Sequence, residues 1–369
     1  DGRLGTVFSL IALTVGGFAA VYAVRAPDLL LGTESAPAVV PAAVLTALIL
    51  SRWSGRVPTT VLTALGAGAV ILAVLVSADR VMTLVGAVGS GIVLGALACI
   101  AAGRRTWIAA LGTSTIAGFV LSDSIGSPFP RRYADYLPAA PSLASTSIPV
   151  VTALSVTVVA AASSTPRVPR PTSTLATSVA LLLSLAGLLP VFTSNLTAAI
   201  GASGVTELID TSSTWIISTL LVTALMVVAA VSVPSAGSLV IAGTVLWLLT
   251  RTAAFTVVTA SRSDRSWDAV LVVIVVAGTL LGAVVGFRAR PVVGVPVAIL
   301  CAAACVTALH LDASGSRVAV LVVALTAGAV TGACAGAVDN RCIPALVAAG
   351  LLVPLALATM PDSPISADF

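Results

Sequence analysis

This chain of 369 residues contains no lysine, and only 9% of its residues are charged. Charged residues make up about a quarter of an average soluble sequence, so this low content excludes an ordinary water-soluble domain. Mean hydropathy is +1.14, and 58% of the residues are hydrophobic. We therefore expect an integral membrane protein. We interpret the missing lysine as a coding bias of a GC-rich genome of the actinobacterial type.

The residue types that carry most enzymatic and metal chemistry are also scarce. The chain has one histidine, His310, and five cysteines, which do not show metal-ligand spacing with it. No phosphate-binding loop or nucleophile arrangement occurs. Asp28 or Glu34 could be the acid of a membrane glycosyltransferase, but neither has a second acidic partner. We predict no enzyme activity, no metal and no cofactor.

Long apolar runs dominate the chain. A helix needs about 20 residues to cross a hydrocarbon core of roughly 30 Å, and about thirteen runs qualify. They are apolar on every face, whereas barrel strands alternate. The predicted fold class is all-α, a polytopic transmembrane helical bundle of about 12 to 13 helices. The lower number applies if the short second run is an interfacial element and does not span the membrane. The runs cover residues 6–24, 38–51, 58–77, 81–102, 107–121, 147–162, 175–194, 215–233, 239–259, 269–287, 292–309, 318–338 and 343–359.

The arginines predict the orientation of the bundle. Cytoplasmic loops are enriched in basic residues, so the pI near 9.1 reports topology and does not indicate a nucleic-acid partner. We expect a multi-pass protein of the plasma (inner) membrane with a cytoplasmic N-terminus. Most acids then fall outside, and the inner side holds Arg3, Arg52, Arg56, Arg104, Arg105, Arg167, Arg170, Arg288, Arg290 and Arg341.

Two segments match at a separation of 237 residues. The match pairs Gly91 with Gly328 and Gly95 with Gly332, and each copy runs from an outer to an inner arginine. Small-xxx-small spacing allows close helix packing in lipid, and parallel repeats of helical halves occur in secondary transporters. We predict two pseudo-repeated halves, with the four glycines as helix-packing residues.

Segment boundaries are assigned around this match. The stretch 165–174 is rich in proline and arginine and is predicted to be a stiff cytoplasmic linker. We place an N-terminal six-helix half at 1–164, a two-helix insertion at 175–237 and a C-terminal half at 238–369. The longest outer loop is predicted at 122–145, either as an interfacial loop or as a cover over the outer mouth.

The turn after the second run carries a short basic motif. Arg52, Gly55 and Arg56 resemble the D-R-x-G-R motif between the second and third helices of the major facilitator superfamily, with Ser51 in place of the acid. In that family the charges of this loop brace neighbouring cytoplasmic helix ends, and the resemblance implies the same role here.

A counterpart of this motif precedes the second matched segment, at Arg288 and Arg290. Counted from it, the helices resemble the fourteen-helix drug-antiporter branch without its last helix. The chain departs from that pattern in three places. It lacks the acid that the family has in the first helix, the arginine inside the fourth helix and the antiporter signature of the fifth helix. The resemblance implies transport, with proton coupling through those elements in doubt.

A second resemblance leads to a different function. The charge-poor, alanine-rich helices, the proline-rich linker and the final apolar helix are similar to the membrane part of the EccD subunit of type VII secretion systems. That family has about eleven helices and a ubiquitin-like N-terminal domain, neither of which this chain shows. The chain begins at Asp1 and not at methionine, so we leave a preceding soluble segment open.

Few polar residues fall inside the predicted spans. None of the fourteen acids is placed mid-membrane, so no buried carboxylate is expected as a proton relay. Arg251 is the one charge placed well inside a span, where it would face the substrate pathway or snorkel to the interface. Asn195 belongs to a polar cluster near the outer end of its run, and we include it as a second pathway candidate.

We predict a transporter of the major facilitator type that moves a small amphiphilic or anionic substrate. The alternative is a non-catalytic membrane subunit of an envelope or type VII secretion complex. The partner in the first case is the lipid bilayer, and in the second it includes other membrane-protein subunits.

Overall fold

The structure is a computed structural model that describes residues 2–25, 38–53, 55–76, 80–125, 143–164, 174–185, 267–288, 316–338 and 344–358, together with six isolated positions at 188, 224, 227, 228, 231 and 300. Regular secondary structure within these ranges is entirely helical. The helices are α1 (Gly2–Arg25), α2 (Val39–Arg52), α3 (Arg56–Val76), α4 (Arg80–Ala101), α5 (Arg105–Ile125), α6 (Leu143–Ser163), α7 (Thr174–Leu185), α8 (Trp267–Gly286), α9 (Ser316–Ala337) and α10 (Pro344–Ala358).

The all-α class is confirmed for the described part of the chain. Each of its ten helices coincides with one of the predicted apolar runs. Of the remaining runs, 239–259 lies wholly outside the described residues, and only isolated positions are described in 215–233 and 292–309. Helix covers 122–125 and 143–145, so the outer loop predicted at 122–145 was drawn too long at both ends.

Three of the described helices have the length and composition needed to cross a membrane. They are Leu4–Val24, Arg56–Val76 and Val81–Ala101. Five other helices contain shorter apolar stretches, of 10 to 17 residues. The described chain thus contains several helices of membrane-span type.

The helices pack around two centres, α4 and α5. Helix α4 contacts α1, α2, α3 and α10, and it separates α2 from α3, which barely touch each other. Helix α5 contacts α1 on one side and both α8 and α9 on the other. The N-terminal helices therefore meet the C-terminal ones at α5, which packs on α8 and α9, and at α10, which packs on α2 and α4.

Side-chain size follows an inside-out pattern on α3. Its inward positions are small or β-branched, such as Thr63, Gly66 and Ala67, whereas large aliphatic side chains point away from the bundle. Leu65 is 61% exposed and Leu75 is 64% exposed. On α8, Val284 and Val285 are also exposed. A soluble protein rarely leaves contiguous apolar surface of this kind unpartnered.

Candidate functional site

Helix directions bring six arginines to one end of the bundle. Gly5 near the start of α1 lies beside Ser163 at the end of α6, and Gly112 in the first half of α5 lies beside Thr331 in the second half of α9. Together with the other close contacts between helices, this makes α2, α4, α6, α8 and α9 end where α1, α3 and α5 begin. We call this end, with the positions of Arg3, Arg52, Arg56, Arg104, Arg105 and Arg288, the arginine end.

The motif-like turn between α2 and α3 lies at the arginine end. Helix α2 closes with a bond from the Trp53 amide to the Ile49 carbonyl at 3.0 Å, and α3 begins at Arg56 after a short turn. A Cβ at Gly55 would lie 3.3 Å from Cδ of Pro58, so the turn is tight. The side chains of Arg52 and Trp53 are exposed.

Arg56 connects this turn to a third helix. Its Nε–H donates a hydrogen bond to the carbonyl of Ala162, in the last turn of α6. The final carbonyls of a helix have no intrahelical donor, and a cation near a helix C-terminus is favourable because of the helix dipole. Arg56 therefore satisfies one of these carbonyls and ties the start of α3 to the end of α6.

The α4–α5 turn adds two more arginines. Gly103 has φ of 81°, the left-handed conformation that commonly ends a helix. This reversal places the Arg104 guanidinium 3.9 Å from the ring centroid of Trp107, a cation–π contact. Arg105 on the same turn is exposed.

Gly91 and Gly95 lie against the backbone of α2. A Cβ at Gly91 would lie 2.5 Å from the Val39 carbonyl oxygen, and one at Gly95 would meet the carbonyl oxygen of Ala43. One turn further along, the Cys99 thiol donates to the Ala47 carbonyl at 3.7 Å. We call this contact between α2 and α4 the first seam.

Gly328 and Gly332 lie in the same way against α8. A Cβ at either position would meet the carbonyl oxygen of Thr279 or Ala283, respectively. At Gly336 a Cβ would lie 3.0 Å from the carbonyl oxygen of Phe287. We call this contact between α8 and α9 the second seam. Both seams join parallel helices, and both advance by four residues on each side.

The second seam also has glycines on its other helix. Cβ atoms at Gly278, Gly282 and Gly286 of α8 would meet atoms of Ala324, Leu325 and Ala329 on α9. These glycines were not predicted as packing residues, although their spacing of four residues is visible in the sequence. The crossing of α3 and α4, where a Cβ at Gly66 would lie 2.7 Å from the Gly89 carbonyl oxygen, was not predicted either. No spacing pattern marks that crossing.

Buried polar side chains among the described residues are all serine or threonine. Most of them bond to a carbonyl of their own helix. Ser114 on α5 also donates to the Leu13 carbonyl of α1 at 2.9 Å. Ser90 is fully buried, and its hydroxyl has no hydrogen-bond partner within the described chain.

The two pathway candidates, Arg251 and Asn195, lie outside the described residues, as does Arg290. Arg288 is exposed at the end of α8, at the arginine end. The described residues contain no cluster of three or more histidine, cysteine or acidic side chains of the kind that could hold a metal ion.

Neither the models of known protein families nor the sequences of curated proteins match this chain.

Proposed function

We propose that this protein is a multi-pass protein of the inner membrane with its arginine end in the cytoplasm. The outward-facing leucines and valines of α3 and α8 support this proposal, because lipid is the solvent that suits them. Among the described residues, the arginine end has six arginines and no acid, whereas the opposite end has three arginines and two aspartates. Excess arginine on one side is typical of the cytoplasmic face.

Within this bundle we infer that the two seams are equivalent parts of related halves. The α4 positions 91, 95 and 99 map onto 328, 332 and 336 of α9 by the same shift of 237 residues. The carbonyl groups that these positions meet also correspond one by one. Those of Val39, Ala43 and Ala47 in α2 lie 240 residues before those of Thr279 and Ala283 in α8 and of Phe287 directly after it. This shared register is the observation that carries the proposal.

The proposed function is transport of a small amphiphilic or anionic substrate by a protein of the major facilitator type. Related helical halves that rock around a central site are a common plan of secondary transporters. The α5 contacts with α1, α8 and α9 suit such a plan, because they form a junction between N-terminal and C-terminal helices. Arg251 is the proposed anion ligand of the pathway.

Uptake into proteoliposomes tests this function. Carboxyfluorescein and benzoate serve as amphiphilic and small organic anions, with protein-free vesicles as the blank. We expect uptake of at least one anion above the blank and its loss in Arg251→Ala at unchanged folded yield. Arg80→Gln, at the opposite end of α4, is the control for loss of one charge. Uptake at the level of the blank for both anions would contradict the transporter, and normal uptake by Arg251→Ala would contradict its site.

One observation favours the second function, a non-catalytic subunit of an envelope or EccD-like secretion complex. Among the described residues no charged side chain is buried, so that part of the chain offers no charged group for ion coupling. Native purification in mild detergent distinguishes the two. Stoichiometric co-purification of other membrane proteins supports the subunit, whereas a single species that takes up an anion supports the transporter.

A further inference from the structure

We propose that the turn between α2 and α3 binds the phosphate of an anionic phospholipid headgroup, with Arg52 and Arg56 as the anion ligands. This inference rests on the proposed membrane placement, but not on transport. At the arginine end, Arg52 and Arg56 lie on either side of the exposed Trp53.

The guanidinium of Arg56 is only partly hydrogen-bonded within the described chain. Its Nε–H is used by the Ala162 carbonyl, and the described residues offer no partner to its two terminal nitrogens. A guanidinium presents five N–H donors in a rigid fork. The two terminal nitrogens together form the end of the fork that binds phosphate through two parallel hydrogen bonds. The bond to α6 therefore orients Arg56, and within the described chain it leaves the phosphate-binding end of the side chain without a partner.

Trp53 indicates the depth of this turn in the bilayer. Its side chain is 70% exposed, although tryptophan is a large apolar residue. Tryptophan prefers the headgroup level of a membrane, where its ring is partly in lipid and its N–H reaches water. Because Trp53 lies between Arg52 and the start of α3, its preference for the headgroup level places both arginines at the level of the lipid phosphates.

The charge at this level is uncompensated within the described chain. Ala47 of α2 lies opposite Cys99 of α4, Arg52 is the last residue of α2, and Arg104 follows the end of α4, so both arginines lie at the arginine end. No acid among the described residues lies at this end. Arg104 is engaged with the ring of Trp107. Arg52 and Arg56 are the arginines that share one tight turn with an exposed tryptophan.

The test is a binding titration on the purified full chain in detergent. Native mass spectrometry compares phosphatidylglycerol with phosphatidylcholine of the same acyl chains. We expect a clear preference for phosphatidylglycerol that falls as salt rises. A basic residue that directly contacts the anionic headgroup contributes about fivefold in binding, so Arg52→Gln with Arg56→Gln should weaken phosphatidylglycerol binding roughly 10- to 30-fold.

The charge-matched control is Arg105→Gln with Arg288→Gln. These arginines are exposed at the same end but on other turns, and this variant should bind phosphatidylglycerol within about twofold of the wild type. An equal loss in both double variants would overturn the site, because attraction would then be spread over the whole arginine end. Equal binding of the two lipids by the wild type would overturn it without requiring any variant to fold.

A further arm separates a lipid site from a free-anion site. Inorganic phosphate at the same ionic strength as chloride should displace no more phosphatidylglycerol than chloride does. Full displacement by phosphate would overturn the lipid assignment. Flotation of the reconstituted protein with liposomes is scored separately. Failure to insert would contradict the membrane placement, whereas insertion without lipid preference would contradict only the lipid site.

Discussion

Single methyl groups decide how closely these helices approach. At Gly66 the space for a Cβ is filled by backbone of α4, whereas at Gly68, two residues later on the same helix, nothing lies within 4 Å. Backbone atoms cannot rotate aside as a flexible side chain can. A side chain at position 66 therefore requires the backbones of α3 and α4 to separate, whereas a side chain at position 68 requires no rearrangement.

Gly66→Ala should lower the free energy of unfolding by about 1 to 3 kcal/mol, because overpacking forces the backbones of α3 and α4 apart. Gly68→Ala should leave it unchanged or raise it by less than about 1 kcal/mol, since alanine favours the helix. Denaturation of the purified protein by SDS measures both. Equal effects of the two substitutions would contradict the packing of α3 on α4.

Buried hydroxyls give a second pair of residues with opposite expectations. Ser90→Ala should raise the free energy of unfolding by about 1 kcal/mol, because an unbonded buried hydroxyl is removed. Ser114→Ala should lower it by about 0.6 kcal/mol, the typical value of a hydrogen bond between membrane helices. Ser155→Ala, on an exposed face of α6, is the neutral control. Destabilisation by Ser90→Ala would show that its hydroxyl has a partner.

At the scale of helices, the apolar pattern of the sequence located the elements but not their ends. The run predicted at 107–121 is a helix over Arg105–Ile125, which includes Asp123. Hydropathy falls where a chain meets polar surroundings, while backbone hydrogen bonding continues until the helix is capped. For that reason α1 and α5 extend past their apolar runs into charged residues on either side.

Partner helices could not be predicted either. A spacing of four between Gly91 and Gly95 indicates that one face of α4 is closely packed, but many helices could fill it. That the face belongs to α2, and that α3 uses the separate face around Gly89, depends on the whole bundle. The turn at Gly103 is local, by contrast, since a glycine after an apolar run is typical of a helix end.

The proposed equivalence of the two seams predicts similar effects for paired substitutions. Gly95→Ala and Gly332→Ala occupy corresponding positions, and a Cβ at either meets a carbonyl of the neighbouring helix. Each should therefore lower the free energy of unfolding by about 1 to 3 kcal/mol, with Gly68→Ala as the tolerated control. The SDS titration measures all three. A loss at one seam only would contradict their equivalence.

At the scale of the molecule, the composition predicted an all-helical protein with span-like helices. The bundle adds what composition cannot give, namely that α4 and α5 are its centres and that large aliphatic side chains face outward. The central claim is that these outward faces lie in lipid, with the arginine end in the cytoplasm.

Three single-cysteine variants in a background with the native cysteines replaced by alanine test that claim most directly. Trp53 is at the arginine end, Leu65 faces outward in the middle of α3, and Val81, 59% exposed, is at the opposite end. An impermeant maleimide on intact cells should label Val81→Cys at once, Trp53→Cys only after permeabilisation, and Leu65→Cys only after denaturation. Labelling of Leu65→Cys in the folded protein, or of Trp53→Cys from outside the cell, would contradict the account.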